Sequence, residues 1–153
     1  VAAGDEPPPY TGVTGGDGRL RVHAHRPRER LDAGQEPLLQ VDAELVDALH
    51  AQGFEIAVET NGTIAAPAGM DWVCVSPKAG ADLVVRRGHE LKLVYPQAGA
   101  EPENFAGLDF ERFSLQPMDG PDAIENTART IDYCIRHPQW RLSLQTHKTL
   151  GIR

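Results

Sequence analysis

Four short polar clusters, each directly after an apolar run, hold the residues of this sequence best suited to chemistry. They are Glu59-Thr60-Asn61-Gly62, Ser76-Pro77-Lys78, Gln116-Pro117-Met118-Asp119 and Gln145-Thr146-His147-Lys148. In parallel α/β folds, ligands gather beyond the carboxyl ends of the strands. A single cluster is explained by turn chemistry alone, because strand ends need such residues. Four in register point to a binding site. No nucleophile signature accompanies them, so a hydrolase built on His147 with an acidic partner such as Asp119 is the weakest reading. His23 and His25, two residues apart among arginines, lack a third ligand nearby and read as a solvated strand rather than a metal site.

The elements that must position these clusters follow from the hydrophobic pattern. Leu45, Val46 and Leu49 predict a helix over about Asp42 to Gln52 with those three residues on its buried face, and Gly53 stops it. Strands are expected at Phe54–Glu59, Trp72–Val75, Glu90–Tyr95, Arg112–Leu115 and Trp140–Leu144. The clearest helix runs from Asp122 to Arg136, where Ile124, Ala128, Ile131 and Ile135 are spaced for one buried face. Short strands that are apolar throughout indicate a parallel sheet covered on both faces. The connections 61–71 and 77–90 are too irregular for helices. The fold class is α/β, with a partial (β/α) barrel as the best fit and a doubly wound open sheet as the alternative.

Residues 1–35 follow a different grammar, rich in Pro, Gly and Arg and poor in large aliphatics. Only a short strand at Leu20–Ala24 is expected there, where Leu20, Val22 and Ala24 alternate with Arg21 and His23. Such a segment buries too little apolar surface to offset its chain entropy. The expected organisation is a loose segment over 1–35 and a barrel domain over 36–153. A chain of 153 residues fits one domain and can bury about 70% of its unfolded surface.

The net charge of -7 argues against general nucleic-acid binding, which needs excess Lys and Arg. The run Arg26 to Arg30 reads as a solvated segment. No apolar run approaches the roughly 20 residues needed to span a bilayer, and the start lacks a signal-peptide layout. A cytoplasmic setting without a membrane partner is expected. Cys74 and Cys134 lie inside apolar segments and read as buried core residues, neither a disulfide nor a zinc site.

From Glu36 onward the strings EPLLQ, ETNGT, DWVCVSPKA, ELKLVYPQ, LQPMDGP and RHPQWRLSLQTHKTLGIR occur in an order that resembles the 7-carboxy-7-deazaguanine synthases. The resemblance implies a truncated barrel of the radical S-adenosylmethionine superfamily, using S-adenosylmethionine, a [4Fe-4S] cluster and Mg²⁺. It implies conversion of 6-carboxy-5,6,7,8-tetrahydropterin to 7-carboxy-7-deazaguanine with loss of ammonia, a carbon–nitrogen lyase step towards queuosine and other deazapurines. By the same resemblance Ser76, Pro77 and Lys78 match cofactor contacts, a hydroxyl and an ammonium being able to hold a ribose and a carboxylate. Gln116, Pro117, Met118 and Asp119 match a second cofactor segment. Arg153 matches the chain end whose carboxylate reaches the pterin, a good acceptor for paired N–H donors. A homodimer is compatible with the resemblance.

Before EPLLQ the chain departs from the pattern. Ala33-Gly34-Gln35 stands where the family has Thr-Gly-Gly. Gln35 would crowd the close backbone approach that glycine permits, and Ala33 lacks the hydroxyl offered to the substrate. Residues 1–36 contain no cysteine, whereas the cluster needs three thiolates, and the Mg²⁺-binding threonine has no counterpart. The Gly-rich strings at Thr11-Gly12 and Thr14 to Gly18 are weak signals and do not fit a phosphate loop. The expectation is a damaged or misread frame joined to genuine family sequence, with an uncovered sheet edge that favours self-association. The chain would then be a synthase by descent that does not turn over; the alternative is a non-catalytic module that binds S-adenosylmethionine or the pterin.

Overall fold

The computed structural model describes residues 20–23 and 36–151. The chain divides into two compact units, residues 1–60 with 65–73 and residues 61–64 with 74–153. Three of the candidate positions, Ala33, Gln35 and Arg153, lie outside the described residues, as does His25.

In the first unit β1 (Leu20–His23) pairs antiparallel with β2 (Glu55–Thr60), Leu20 opposite Val58 and His23 opposite Glu55. A short 3-10 turn at Pro37–Leu39 leads to helix α1 (Ala43–Ala51). Asp42 caps the helix, its carboxylate accepting from the Leu45 N–H at 2.8 Å, which satisfies a donor with no partner inside the helix. Val46 and Leu49 are buried against the unit with Ile56 and Val58; complete burial of such a side chain contributes roughly 1.5–3 kcal/mol. Leu45 does not join them. It is 38% exposed, because it lies about 100° around the helix from Val46, too far to share the narrow contact with β2.

Asp71 ties this unit together. Its Oδ2 accepts from the Ile56 N–H at 2.7 Å and lies 2.9 Å from His50 Nε2, while its own N–H donates to the Ile56 carbonyl at 2.9 Å. One residue thus links β2, α1 and the chain entering β3 (Trp72–Val75). The Ile56 N–H, followed by His50, holds the Asp71 carboxyl below its usual range.

The second unit is a parallel sheet in the order β3, β4 (Arg87–Tyr95), β5 (Asp109–Pro117), β6 (Trp140–Leu142). Cys74 faces Glu90, Leu91 faces Phe113, and Phe113 faces Trp140. The α/β class and the parallel arrangement agree with the apolar strand pattern. Both β4 and β5 extend beyond the expected apolar cores, since their ladder continues through polar residues from Arg87–Asp109 to Tyr95–Pro117. Ladder hydrogen bonds depend on backbone, not side-chain type. Val75, Leu91, Leu93 and Leu115 are fully buried, and Phe113 packs edge-on against Trp140 at 5.2 Å between centroids. The connections 61–71 and 77–86 contain no helix, as expected. Cys74 is buried as expected, but Cys134 is only half-buried; what burial it has pushes its thiol pKa up.

Helix α2 (Ala123–Arg136) forms where expected and packs on β5 and β6, but with the opposite face. Asn126, Thr130 and Tyr133 are buried, whereas Ile124 is 90%, Ile131 40% and Ile135 74% exposed. The expected apolar face is therefore wrong. The polar face can go inward because each of its groups is bonded: Asn126 Nδ2 donates to the Met118 carbonyl at 3.1 Å, Thr130 Oγ1 to the Asn126 carbonyl at 2.6 Å, and the Tyr133 hydroxyl to Glu103 at 2.8 Å. Buried polar groups are tolerated on that condition.

Candidate functional site

Glu36 and Thr60 build the first strand end. Glu36 is buried, and both its carboxylate oxygens lie 2.8 Å from Thr60 Oγ1 at the carboxyl end of β2. The same carboxylate accepts from the Leu38 N–H at 3.1 Å, capping the 3-10 turn that Pro37 opens. The retained Glu-Pro pair is thus a fixed point at the end of β2.

Beyond that strand, Asn61 Oδ1 accepts from both the N–H and the hydroxyl of Thr63, at 2.8 and 2.6 Å, a side-chain-closed turn. Gly62 has a φ of +79°, and a Cβ there would come within 2.6 Å of Leu83 and of Val75. Its carbonyl accepts from the Val84 and Val85 N–H groups at 2.9 and 3.0 Å. The glycine is required both by its backbone and by its neighbours. It clamps the loop that follows β3 to the end of that strand.

On that loop, Ser76 and Pro77 are buried immediately after β3, and Lys78 is exposed at the turn, its carbonyl accepting from the Ala81 N–H at 3.1 Å. A buried hydroxyl and an exposed ammonium thus stand two residues apart beyond β3.

The third and fourth clusters meet. Gln116, Met118 and Asp119 at the end of β5, with Gln145 and Lys148, line a cleft of about 130 Å³. Lys148 Nζ lies 2.5 Å from Asp119 Oδ2, and Asp119 Oδ1 accepts from the Gly120 N–H at 2.9 Å. The Lys148 ammonium, then the Gly120 N–H, holds the Asp119 carboxyl below its usual range. The Met118 N–H donates to the Tyr95 carbonyl at 2.7 Å, so the floor is anchored to the end of β4.

Two corrections arise here. The last strand stops at Leu142, not Leu144, and residues Thr146–Thr149 wind into a short helix, α3. The turn from strand to helix presents Lys148 rather than His147 to Asp119, so the pairing that a hydrolase would require is replaced by an ion pair. Sequence reasoning also missed Ala123, Thr127 and Leu144, which complete the cleft wall. The available signal was that α2 opens shortly after β5 closes, which places its first turns above the strand end.

The cleft lining offers amides, a carboxylate, an ammonium and a thioether. Its one hydroxyl, on Thr127, donates to the Ala123 carbonyl at 2.7 Å. Side chains of these types can hold a polar ligand. Ser76 to Lys78 do not line this cleft; they follow β3, two strands from β5 in the sheet order. Among the described residues, no three His, Cys, Asp or Glu side chains converge as a metal site. The 153 residues contain two cysteines, one on β3 and one on α2. They do not fit an iron–sulfur cluster held by three thiolates. No helix among the described residues is long and apolar enough to cross a membrane.

No family model matches the chain. It is 79% identical over 120 residues to the 7-carboxy-7-deazaguanine synthase of Bradyrhizobium diazoefficiens. It is 66% identical over 119 residues to that of Caulobacter vibrioides and 64% over 119 to that of Bordetella pertussis. Each match takes in 78% of this chain, which spans 57% of the length of these relatives. Through more than three quarters of its residues, the chain is similar in sequence to part of the 7-carboxy-7-deazaguanine synthases.

Proposed function

We propose that this chain carries the cofactor-holding part of a 7-carboxy-7-deazaguanine synthase, built as a partial (β/α) barrel of the radical S-adenosylmethionine type. The observation that carries the reading is the meeting of the QPMD and QTHK segments in one cleft at the carboxyl end of the sheet, within sequence 79% identical to such a synthase. Ser76, Pro77 and Lys78 would hold the ribose and carboxylate of S-adenosylmethionine, and Gln116 to Asp119 its adenosyl part. By the same resemblance Gln35 would crowd the methionine part, and Ala33 and Arg153 would serve the pterin. The setting is cytoplasmic.

In the complete reaction S-adenosylmethionine, given one electron by the iron–sulfur cluster, would supply the radical that starts rearrangement of the pterin, a lyase step releasing ammonia. With two cysteines against a requirement for three thiolates, these 153 residues bind but do not initiate it. Calorimetry with S-adenosylmethionine is the test. We expect saturable binding that weakens about tenfold when Ser76→Ala removes the hydroxyl, a loss of about 1.4 kcal/mol. Absence of binding heat, with or without Mg²⁺, would sink the reading. Anaerobic reconstitution is expected to yield no cluster absorption; roughly four irons per chain would overturn the claim of incompetence.

A further inference from the structure

The sheet runs out at the floor of the cleft. The last register pair of β4 and β5 is Tyr95 with Pro117, and two prolines interrupt the ladder there, since neither Pro96 nor Pro117 has an N–H to donate. The Met118 N–H still finds a strand partner, the Tyr95 carbonyl at 2.7 Å. For the Met118 carbonyl the partner comes from outside the sheet: Asn126 of α2 donates its Nδ2 at 3.1 Å.

These two bonds lie on either side of the Met118 Cα. Peptide units are planar, so β4 fixes the plane before the residue and α2 the plane after it, and both backbone dihedrals of Met118 are set. The direction in which the chain leaves towards Asp119 follows from them. With it follows the place where the Asp119 carboxylate meets Lys148.

Asn126 is itself firmly held. It is buried, its N–H donates to the Asp122 carbonyl at 2.8 Å, and its carbonyl accepts from Thr130 Oγ1 at 2.6 Å. Ala123 and Thr127, on either side of it along the helix, line the cleft, whereas Asn126 does not. Turning α2 to bury Ile124, Ile131 and Ile135 would remove more apolar surface from water. That orientation would carry Asn126 away from β5 and leave the Met118 carbonyl without this donor.

We infer that Asn126 is a positioning residue of the cleft: by fixing the Met118 carbonyl it sets the shape of the Gln116–Asp119 wall without lining it. The inference rests on the reading of that wall as a contact for the adenosyl part of S-adenosylmethionine. A short side-chain amide suits the role because it offers an N–H donor. A carboxylate of the same shape would set lone pairs against the carbonyl, and an aliphatic side chain would leave that acceptor without its bond.

Paired variants of the full chain test it. Asn126→Ala removes the donor to Met118. Thr130→Ala removes the bond one turn further along the same buried face and leaves that donor in place. Both should lower the melting temperature. Asn126→Ala alone should raise the S-adenosylmethionine dissociation constant, by about tenfold in calorimetry, and alone should speed hydrogen exchange at the Met118 amide. Asn126→Asp, the same shape without the donor, should do the same and serves if the alanine variant does not fold. Exchange needs no ligand. If the unaltered chain gives no binding heat, the cofactor reading falls, and faster Met118 exchange in Asn126→Ala still upholds the positioning role. Two outcomes would overturn it: unchanged Met118 exchange in Asn126→Ala, or Thr130→Ala weakening cofactor binding as much as Asn126→Ala does.

Discussion

Lys148 reaches across a separation of 29 residues to place its ammonium 2.5 Å from the Asp119 carboxylate, tying helix α3 to the end of β5. Both side chains are about half exposed or more, Lys148 at 49% and Asp119 at 61%. The pair's value therefore lies in geometry more than stability, since exposed ion pairs are screened by water and salt.

The Asp119 carboxyl should titrate below its usual value of 3.8, and Lys148→Met should move its midpoint upward. Because the folded pKa is depressed, the linked stability is present above the unfolded pKa and fades as pH falls through the folded one. Carboxyl-carbon NMR across pH 2–5 in both proteins checks the shift. An unmoved midpoint in Lys148→Met would mean that the ion pair does not persist in solution.

Gly62→Ala should destabilise the second unit by about 2–4 kcal/mol, combining strain at positive φ with overpacking. The added methyl would sit 2.6 Å from both Val75 and Leu83. Urea denaturation measures this directly, and a change below about 0.5 kcal/mol, the range of neutral surface changes, would show that the loop adapts freely.

Tyr133 should ionise well above the ordinary tyrosine value. Burial, then its bond to the Glu103 carboxylate, pushes its pKa up to about 12. A raised folded pKa means stability is complete below the unfolded value near 10 and is lost as pH rises toward about 12. Absorbance at 295 nm during base titration should show a late step that Tyr133→Phe removes. The same variant should cost about 0.5–1.5 kcal/mol at neutral pH, the ordinary value of one hydrogen bond.

Asp71→Ala should loosen the first unit. It deprives the Ile56 N–H of its acceptor and frees His50, for a loss of about 1–2 kcal/mol at this partly exposed position. Hydrogen exchange at the Ile56 amide offers a local readout. Unchanged protection there would count against the bond.

The existence and order of the strands from β2 to β6 were legible because each is a short apolar run closed by a turn signal, and burial on both faces demands such runs. The clusters at their ends were legible for the same reason. Strand ends are recognised by what stops them, as Asn61-Gly62 and Ser76-Pro77 do. The lengths of β4 and β5 were not legible, since ladder bonds run on through polar residues wherever two backbones stay adjacent.

By itself, then, the sequence determined the class of fold, the strand-end positions of the candidate ligand contacts, and the shortage of thiolates that bars an iron–sulfur cluster from these residues. Tertiary structure alone decided three matters. It chose Lys148 rather than His147 as the partner of Asp119, because the turn into α3 rotates successive side chains by about 100°. It brought Thr127 and Leu144 to the cleft wall. It also turned the isoleucine stripe of α2 outward. Periodicity reveals that a helix has two unlike faces; which face the sheet accepts depends on whether the other face's polar groups find partners, and Asn126, Thr130 and Tyr133 all do.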